Sequence, residues 1–504
     1  MYPRRNPMTN IVGIDLGTTY SAVATIDDIG RPQIIKNEGK NITASCVMIE
    51  NDELIVGEKP EIRYGQKGYE VGARFKRLMG ETAEIKLGAR AFTPTDLSAA
   101  VLKKMRDIAE ANGGPISEAV ITIPANFMQE ARDATMVAAK KAGINVKYII
   151  NEPTAAALYY CFKEGNSFSG KYIVYDLGGG TFDVSVVEAN GTNIEVLATE
   201  GVSKLGGDDF DRALRNIILD KYNLISDAKV SESDIALSDM AKLKIKLSER
   251  EKVPYLVNSD ELIEVTRDEF EAKIKSLVNQ AEYLCEAVLD EAKVQVSEIK
   301  GVLLAGGSTR VPAVRRSIAK VFKQEPIGSE SVDEVVALGA ALYAAMKSES
   351  SNLNATQAAS ISKLKVSEIA TYFFGTLSVN YNSAKNIEEL SNTIIISKGE
   401  KIPCSRTSEF LTMHENQTAI DCRVTKSGSP ETDPRFVSTV WEGVLELPGG
   451  RPEGQKIEVT YAFDNNGMMK CSFLDVESGR ITEISLDDIS KGQSTSAIDK
   501  FLVE

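Results

Sequence analysis

Two segments of the chain share one pattern, in which an apolar strand ends at an aspartate, a glycine turn follows, and a second apolar strand begins. One is YIVYDLGGGTFDVSVV at 172–187, and the other is NIVGIDLGTTYSAVATI at 10–26. Both predict strand, tight turn and strand. Glycines in a turn carry no Cβ atom, so backbone N–H groups there can close on an anion. The repeat, with Asp15 and Asp176 at the two turns, predicts a duplicated design facing itself across a cleft. A glycine-rich hairpin without chemistry is the alternative for the 172–187 segment taken alone.

Between and after these hairpins, strand-like and helix-like patterns alternate, which predicts an α/β fold. A third strand, glycine turn and helix span 300–314, with Gly306 and Gly307 at the turn. Gly339 in the middle of a small-residue helix predicts close packing or a hinge contact, because glycine there otherwise costs about 1 kcal/mol against alanine. The other predicted helices are 95–111, 129–142, 154–160, stretches within 208–248, 267–292 and 332–346, and the other predicted strands are 119–124, 146–151 and 194–199.

The C-terminal part has a different pattern of polar and apolar residues. The polar stretch 347–361 predicts an interdomain linker. Alternating apolar positions on both sides of Asn466-Gly467 predict a hairpin over 457–473. With further strands at 393–396, 409–413 and 420–424, this part predicts an antiparallel β domain.

Composition excludes several classes of function. The 504 residues carry a net charge of −14, with a pI near 5.0, which disfavours nucleic acid or an anionic membrane as the main partner. No apolar stretch approaches the roughly 18 residues of a membrane span, and the N-terminus lacks the apolar core of a signal peptide, so we expect a cytoplasmic protein. The six cysteines are scattered without a CxxC pair, which indicates buried thiols in a reducing compartment.

The chemistry is restricted by the single histidine, His414. Histidine-based catalysis and multi-histidine metal sites are nearly excluded, so any catalytic or metal-binding role belongs to Asp, Glu, Lys or Thr. Carboxylates beside an anion-binding turn usually indicate Mg²⁺. The 172–187 turn is not a dinucleotide fingerprint, because Asp183 occupies the third glycine position, and no Gly-Lys-Ser/Thr follows as in a Walker loop.

These motifs together resemble one family, the Hsp70 chaperones of the actin-like ATPase superfamily. The β domain is similar to the family's peptide-binding sandwich through FLTMHENQTAIDCRV (410–424) and GQKIEVTYAFDNNG (454–467). The similar segments in the first two-thirds of the chain, in the family's order, are GIDLGTTYS (13–21), FKRLMG (75–80), ITIPANF (121–127), IINEPTAAAL (149–158), VYDLGGGTFDVSVV (174–187), LGGDDFDRAL (205–214), LLAGGSTRVP (303–312) and VDEVVALGAA (332–341).

The resemblance implies an α/β plus β architecture, in which an actin-like, two-lobed ATPase domain precedes an antiparallel β-sandwich that binds peptides. The implied divisions are an N-terminal tail at 1–10, the nucleotide-binding domain at 11–347, a linker at 348–365, the substrate-binding domain at 366–490 and a C-terminal tail at 491–504.

It also implies ATP/ADP and Mg²⁺ as cofactors, with K⁺ as a further candidate, and slow ATP hydrolysis coupled to the binding of unfolded polypeptide segments. Lys76 resembles the catalytic lysine, while Glu152, Thr181 and Asp183 position the attacking water, and Asp15 and Asp176 hold the metal. The implied nucleotide contacts are Gly17, Thr18, Thr19, Tyr20, Gly178, Gly179, Gly180, Gly206, Gly207, Lys244, Ser248, Gly306, Gly307, Ser308, Arg310 and Asp333. The implied peptide contacts are Phe410, Ile420 and Cys422, and the implied switch between lobes is Pro124 with Arg132.

Each of these assignments has an ordinary structural alternative. Asp183 can cap a turn, Arg310 can be a surface residue at a helix start, and Lys76 can be surface charge. Phe410 and Ile420 can equally belong to the core of the sandwich.

Departures from the family pattern qualify the implied partners, a J-domain cochaperone and a nucleotide-exchange factor. The stretch 80–92 is shorter than usual, which affects docking of the exchange factor. Ala241 and Ile245 replace frequent Glu and Arg on the adenine side, so we expect weaker nucleotide affinity. Tyr148 stands where many relatives have a basic residue that serves binding of the J-domain cochaperone. Residues 364–366 match the leucine run of the family's linker only weakly. Few residues follow the sandwich, so we expect no helical lid and fast peptide exchange.

Three functions compete. The first is an Hsp70-like ATPase that couples hydrolysis to peptide binding. The second is a non-cycling binding or regulatory protein that holds nucleotide structurally. The third, a small-molecule kinase of the same superfamily, leaves the β domain without a role.

Overall fold

The computed structural model describes residues 10–225, 230–257, 261–327, 331–382, 387–464 and 467–485. The chain divides into two compact units, with the boundary between Val366 and Ser367. The predicted tail at 491–504, all but the last residue of the predicted tail at 1–10, and Asn466 of the predicted hairpin turn lie outside the described residues.

The first unit alternates strands with helices, as the sequence pattern predicts, and β18 (Lys365–Ile369) spans the division between the units. Its strands are β1 (Asn10–Asp15), β2 (Tyr20–Ile26), β3 (Pro32–Ile34), β4 (Thr43–Ala44), β5 (Cys46–Glu50), β6 (Glu53–Val56), β7 (Gly72–Ala73), β8 (Ile85–Leu87), β9 (Arg90–Phe92), β10 (Ile116–Ile123), β11 (Val146–Asn151), β12 (Ser169–Leu177), β13 (Phe182–Asn190), β14 (Asn193–Val202), β15 (Lys252–Val257), β16 (Glu261–Thr266) and β17 (Ile299–Ala305). Its helices are α1 (Glu58–Arg63), α2 (Pro94–Gly113), α3 (Gln129–Lys141), α4 (Glu152–Glu164), α5 (Gly207–Ile225), α6 (Leu237–Glu249), α7 (Arg267–Ala292), α8 (Pro312–Phe322), α9 (Val335–Lys347) and α10 (Ala355–Ile361).

The two predicted hairpins lie at the centres of two sheets with the same local topology. In the first sheet, β1 pairs antiparallel with β2 and parallel with β10, in the order β11-β10-β1-β2-β3. In the second sheet, β12 pairs antiparallel with β13 and parallel with β17, and β14 follows β13. The repeated aspartate-glycine turn therefore ends the central strand of each sheet, and the duplication predicted from the sequence is present in the fold.

Close helix packing joins the elements behind the first sheet. Helix α9 is buried along most of its length and contacts α4, β1 and β2. A Cβ atom on Gly339 would overlap the carbonyl group of Ala155 in α4, and one on Gly13 would overlap the backbone of Ala341. The prediction of close packing at Gly339 is confirmed, since any side chain there would separate the two helices.

The predicted linker is folded over much of its length. Residues 350–352 form a 3₁₀ turn, and α10 follows. The side chain of Asn354 caps α10 by accepting from Gln357 N at 2.9 Å. Asn354 Nδ2 also donates to Asp28 O, and Gln357 Nε2 donates to Asp27 O, both at 3.0 Å. The Asn-x-x-Gln spacing is a capping signal, and these contacts attach α10 to the turn after β2.

The second unit is a sandwich of two four-stranded antiparallel sheets, ordered β20-β19-β23-β24 and β22-β25-β26-β27. Side chains from both sheets share one core, which includes Ile396, Val424, Val459, Tyr461 and Cys471. No helix in the described part of the chain is long and apolar enough to cross a membrane. The strands are β19 (Phe373–Asn382), β20 (Ile387–Ile396), β21 (Lys401–Ile402), β22 (Cys404–Leu411), β23 (Ala419–Ser427), β24 (Ser438–Glu446), β25 (Lys456–Phe463), β26 (Met469–Asp475) and β27 (Ile481–Ser485).

Candidate functional site

Most of the predicted site residues of the first unit line a single cleft of about 550 Å³. They come from the turns that follow β1, β12 and β17, and from the segments around Lys76, Glu152 and Lys244. The predicted residues in its wall are Asp15, Gly17, Thr18, Thr19, Tyr20, Lys76, Glu152, Asp176, Gly178, Gly179, Thr181, Lys244, Ser248, Gly306, Gly307, Ser308, Arg310 and Asp333.

The turns after β1 and β12 touch each other across this cleft. Gly178 N donates to Thr181 O at 3.2 Å and closes the second turn. A Cβ atom on Gly179 would overlap the Thr19 hydroxyl, and one on Gly180 would overlap the Thr18 side chain. Glycine is thus required at both positions, because its missing side chain lets the two backbones approach.

Gly180, Gly206 and Gly207, predicted as ligand contacts, are buried and do not line the cleft; Gly180 lies within the second turn, and the other two lie behind it. Gly207 N donates to Gly178 O at 3.0 Å. Gly206 packs directly on the backbone of Gly179, where a Cβ atom would clash. In this structure these three glycines position the turn, and their contact with a ligand stays a prediction. The LGGDDFD motif does not distinguish a glycine that contacts a ligand from a glycine that positions the turn, because both roles need glycine.

Four carboxylates and one lysine form the deep end of the site. Lys76, only 3% exposed, is paired with Glu152. Asp176 and Asp183 lie directly opposite each other on β12 and β13. Asp183 is buried behind the wall and does not line the cleft. Asp15 accepts a hydrogen bond from the Thr122 hydroxyl at 2.9 Å.

Burial raises the pKa of three of these carboxyl groups. It raises the pKa of Asp183 to about 8, and the charge of Glu152 adds to the effect. Burial and Glu152 raise the pKa of Asp15 to about 7, although Lys76 opposes the increase. The pKa of Asp176 is raised well above its ordinary value by the same causes. The single lysine does not balance the buried negative charge.

The chemistry of this cluster fits Mg²⁺. The carboxylate groups of Asp15, Asp176 and Asp183 gather here with only Lys76 as a nearby cation, and hard oxygen donors suit Mg²⁺. In the described parts of the chain, no three Asp, Glu, His or Cys side chains converge closely enough to ligate a metal directly. Mg²⁺ usually keeps several of its waters, so Asp15 and Asp176 could hold it through them.

The opposite wall is built from the third glycine turn and α6. Gly306 adopts φ 78°, a left-handed conformation that favours glycine. Ser308 Oγ donates to Gly178 O at 2.8 Å, which ties this turn to the second one. Arg310 is paired with Asp333 and remains about half exposed. Lys244 Nζ lies 2.8 Å from an Asp211 carboxylate oxygen and places its charge at the wall.

Sequence reasoning missed several residues of the wall. Arg74, Tyr64 and Glu61 come from the first-sheet side of the cleft, and Asp208 and Asp211 come from α5. The two aspartates stood inside a quoted motif without an assigned role. Arg74 precedes FKRLMG, and no local pattern signals that its side chain turns into the cleft. Ile42, Ser238, Glu249, Val311, Val332 and Val336 complete the missed set, while Ala241 and Ile245, noted only as departures, also line the wall.

The predicted switch residues lie beside the deep end. Arg132 in α3 is 9% exposed and donates through Nη2 to Asn151 Oδ1 at 3.0 Å, next to Glu152. Pro124 is buried at the end of β10, and its carbonyl accepts from Phe127 N at 3.1 Å. Neither residue lines the cleft, so any role they have acts through their neighbours.

The three predicted peptide contacts have different environments in the second unit. Phe410 and Ile420 are partly buried and pack against the core of the sandwich. Cys422 is fully buried within that core. The prediction for Cys422 is corrected, because a side chain with 0% exposure cannot touch an extended peptide without repacking. Alternation along β23 places it on the inner face, as it does Ile420.

Comparisons with known proteins agree with this architecture. The sequence model of the family described as Hsp70 protein matches residues 11–90 and 81–504. The chaperone protein DnaK of Mycoplasma mobile is 35% identical over 95% of this chain and 78% of its own length. DnaK of Metamycoplasma hominis is 34% identical over 98% of this chain and 81% of its own length, and DnaK of Thermotoga petrophila is 35% identical over 93% and 79%.

Proposed function

The chain belongs to the Hsp70 chaperone family, and from this premise we propose that it binds ATP with Mg²⁺ in the cleft of the first unit, hydrolyses it slowly, and thereby regulates the binding of unfolded or apolar polypeptide segments by the second unit. In this proposal the first unit is the two-lobed, actin-like ATPase domain. The observation that carries the proposal is the convergence of the two aspartate-glycine turns, Lys76 and the third glycine turn on one cleft.

The two touching turns supply the phosphate clamp. Backbone N–H groups of residues 17–20 and 178–181 bind the β- and γ-phosphates from opposite sides, as anion-binding turns do. When bound through Asp15 and Asp176, Mg²⁺ neutralises phosphate charge. Because the glycines let the turns approach closely, a ligand between them would be held from both sheets at once.

The deep end supplies the groups for hydrolysis. Lys76 is buried and its ammonium group is held by Glu152, so it can stabilise charge on the transferring phosphoryl group without reorganising. Thr181 lines the cleft at the end of the second turn and orients the attacking water. Asp183 is buried opposite Asp176 on β13, and in this proposal it helps to position that water.

The third turn and α6 bind the nucleoside. The small turn at Gly306 and Gly307 lets a planar group approach the backbone. Arg310 is about half exposed at this wall and can lie against the base, while Lys244 and Ser248 contact the sugar. Ala241 and Ile245 offer no hydrogen bond at this wall, which is consistent with weaker affinity.

For the second unit, we propose that Phe410 and Ile420 contact bound peptide at the margin of the sandwich. They are partly exposed although they pack on the core. A J-domain cochaperone and a nucleotide-exchange factor are further proposed partners, and the cytoplasm is the proposed location.

Single-turnover hydrolysis of ATP tests the proposal. The unsubstituted protein should hydrolyse bound ATP, and Thr181→Ala and Lys76→Ala should each be slower by about 100-fold or more, the usual loss for a preorganised transition-state contact. Matched controls are Thr192→Ala and Lys86→Ala, which lie in the first unit outside the cleft wall. ATP binding without hydrolysis above that of the two variants would instead establish the non-cycling alternative.

A further inference from the structure

The segment Phe75–Leu78 and the residue before it present three cations, of which the proposed reaction uses only Lys76. The other two reach the start of α5, which follows the second sheet. Arg74 Nε lies 2.5 Å from an Asp208 carboxylate oxygen, and Arg77 Nη2 lies 2.6 Å from one of Asp209. Two ion pairs thus join the segment beside the first sheet to the helix beside the second.

The Arg74–Asp208 pair is buried, unlike most ion pairs among the described residues. Its side chains are 13% and 6% exposed, whereas the Arg31 side chain of the Arg31–Asp27 pair is 68% exposed. Surface pairs contribute little to stability, but removing one partner of a buried pair leaves an uncompensated charge. The position of α5 relative to residues 74–77 is therefore strongly coupled to this pair.

The backbone of Arg74 is held in an unusual conformation. It adopts φ 62° and ψ 13°, the left-handed region that a non-glycine residue rarely occupies. This conformation directs the guanidinium group over the ring of Tyr64, with Cζ 4.7 Å from the ring centroid. Both Arg74 and Tyr64 line the cleft, so the surroundings fix the arginine at the mouth of the proposed nucleotide site.

The start of α5 is bonded directly to the second phosphate turn. Asp208 N donates to Gly179 O at 2.8 Å, and Gly207 N donates to Gly178 O at 3.0 Å. Arg77 Nε donates to Gly180 O at 2.8 Å. A displacement of α5 away from Arg74 would thus pull the turn away from Thr18 and Thr19, because the turn and the helix share these hydrogen bonds.

We propose that Arg74 is a positioning residue: its ion pair with Asp208 holds the 178–180 turn against the 17–19 turn, and nucleotide can leave the cleft only when this pair opens. The inference rests on the proposed function, since it assumes nucleotide in the cleft. It assigns Arg74 no contact with the reacting atoms, and the Arg77 contacts act beside it as a second attachment.

The test is the dissociation rate of N-methylanthraniloyl-ADP, chased with excess ATP in a stopped-flow fluorimeter. Arg74→Ala and Asp208→Asn should each accelerate release on the order of tenfold, because loss of the pair frees α5 and the 178–180 turn to move away from the 17–19 turn. The double variant should also show about tenfold, not the roughly hundredfold expected of independent sites. Arg74→Asp combined with Asp208→Arg should return the rate to within about threefold of the original.

Arg74→Lys keeps the charge but not the planar guanidinium group, and it gives a milder variant if Arg74→Ala fails to fold; it should accelerate release by about threefold. Arg31→Ala is the matched control, because it removes an exposed ion pair outside the cleft, and it should leave the rate unchanged.

Additive single effects, no recovery in the charge-swapped variant, or rates within twofold of the original would overturn the inference while the proposed function stands. If the unsubstituted protein fails to retain the labelled ADP, both the proposed function and the inference are overturned.

Discussion

Replacing Asp183 by Asn should stabilise the nucleotide-free protein at pH 7.5. Burial and the charge of Glu152 raise the pKa of Asp183 from 3.8 to about 8, so the folded chain retains a proton that the unfolded chain has released. Stability must then fall as the pH rises from about 4 to 8. At 1.36 kcal/mol for each tenfold change in proton affinity, the full cost at pH 7.5 is about 5 kcal/mol.

The measured gain should be smaller, about 2 kcal/mol, because local rearrangement and water relieve part of the cost of a buried charge. For a unit of this size, 2 kcal/mol corresponds to a rise in Tm of about 3 °C. Differential scanning fluorimetry in EDTA, at intervals from pH 4 to pH 8, would follow the difference between variant and original. It should be near zero at pH 4 and should grow as the pH rises.

Asp234→Asn is the matched control. Hydrogen bonds from Ser231 lower the pKa of the Asp234 carboxyl group, so this variant should give no gain that grows with pH. A pH-independent difference for Asp183→Asn, or a lower Tm at pH 7.5, would refute the account of Asp183 as an unbalanced buried acid.

Two further substitutions test the packing on which each unit depends. Gly179→Ala should weaken nucleotide binding by about tenfold or more in equilibrium titration, because the added methyl group would overlap Thr19 and separate the two turns; unchanged affinity would contradict the requirement for contact. Tyr461→Phe should destabilise the second unit by about 1–2 kcal/mol, since its hydroxyl donates to the buried Gly375 carbonyl at 2.8 Å. Urea unfolding followed through the fluorescence of Trp441 measures this, and an unchanged midpoint would contradict it.

The sequence was most informative where one local pattern determines the structure. The Asp-Leu-Gly string at 15–17 and 176–178 predicts strand ends and turns, and β1 and β12 end within one residue of those aspartates. The helices predicted at 95–111 and 267–292 likewise correspond to α2 (Pro94–Gly113) and α7 (Arg267–Ala292). These features depend on neighbours in the chain, so periodicity and turn chemistry suffice to find them.

What the sequence could not supply depends on long-range contacts. Arg74 and Asp208 are separated by more than a hundred residues, and no spacing rule predicts that they meet. The polar composition of 347–361 predicts a linker, yet Asn354 and Gln357 find partners at Asp27 and Asp28 and stabilise α10. For Cys422, similarity to the family's motif suggested a contact with ligand. Alternation along β23 and packing against the opposite sheet instead place its thiol in the core.

The charges of the cleft explain why its two chemical parts lie together. Asp15, Asp176, Asp183 and Glu152 oppose an incoming phosphate, whereas Lys76 and the turn N–H groups attract it. The charges are not neutralised within the site, because one lysine faces four carboxylates. A phosphate accompanied by a divalent cation satisfies both sets, since the cation offsets the carboxylates while the turns bind the oxygens. The same buried acids that destabilise the nucleotide-free protein should therefore favour the metal-bound nucleotide over the free one.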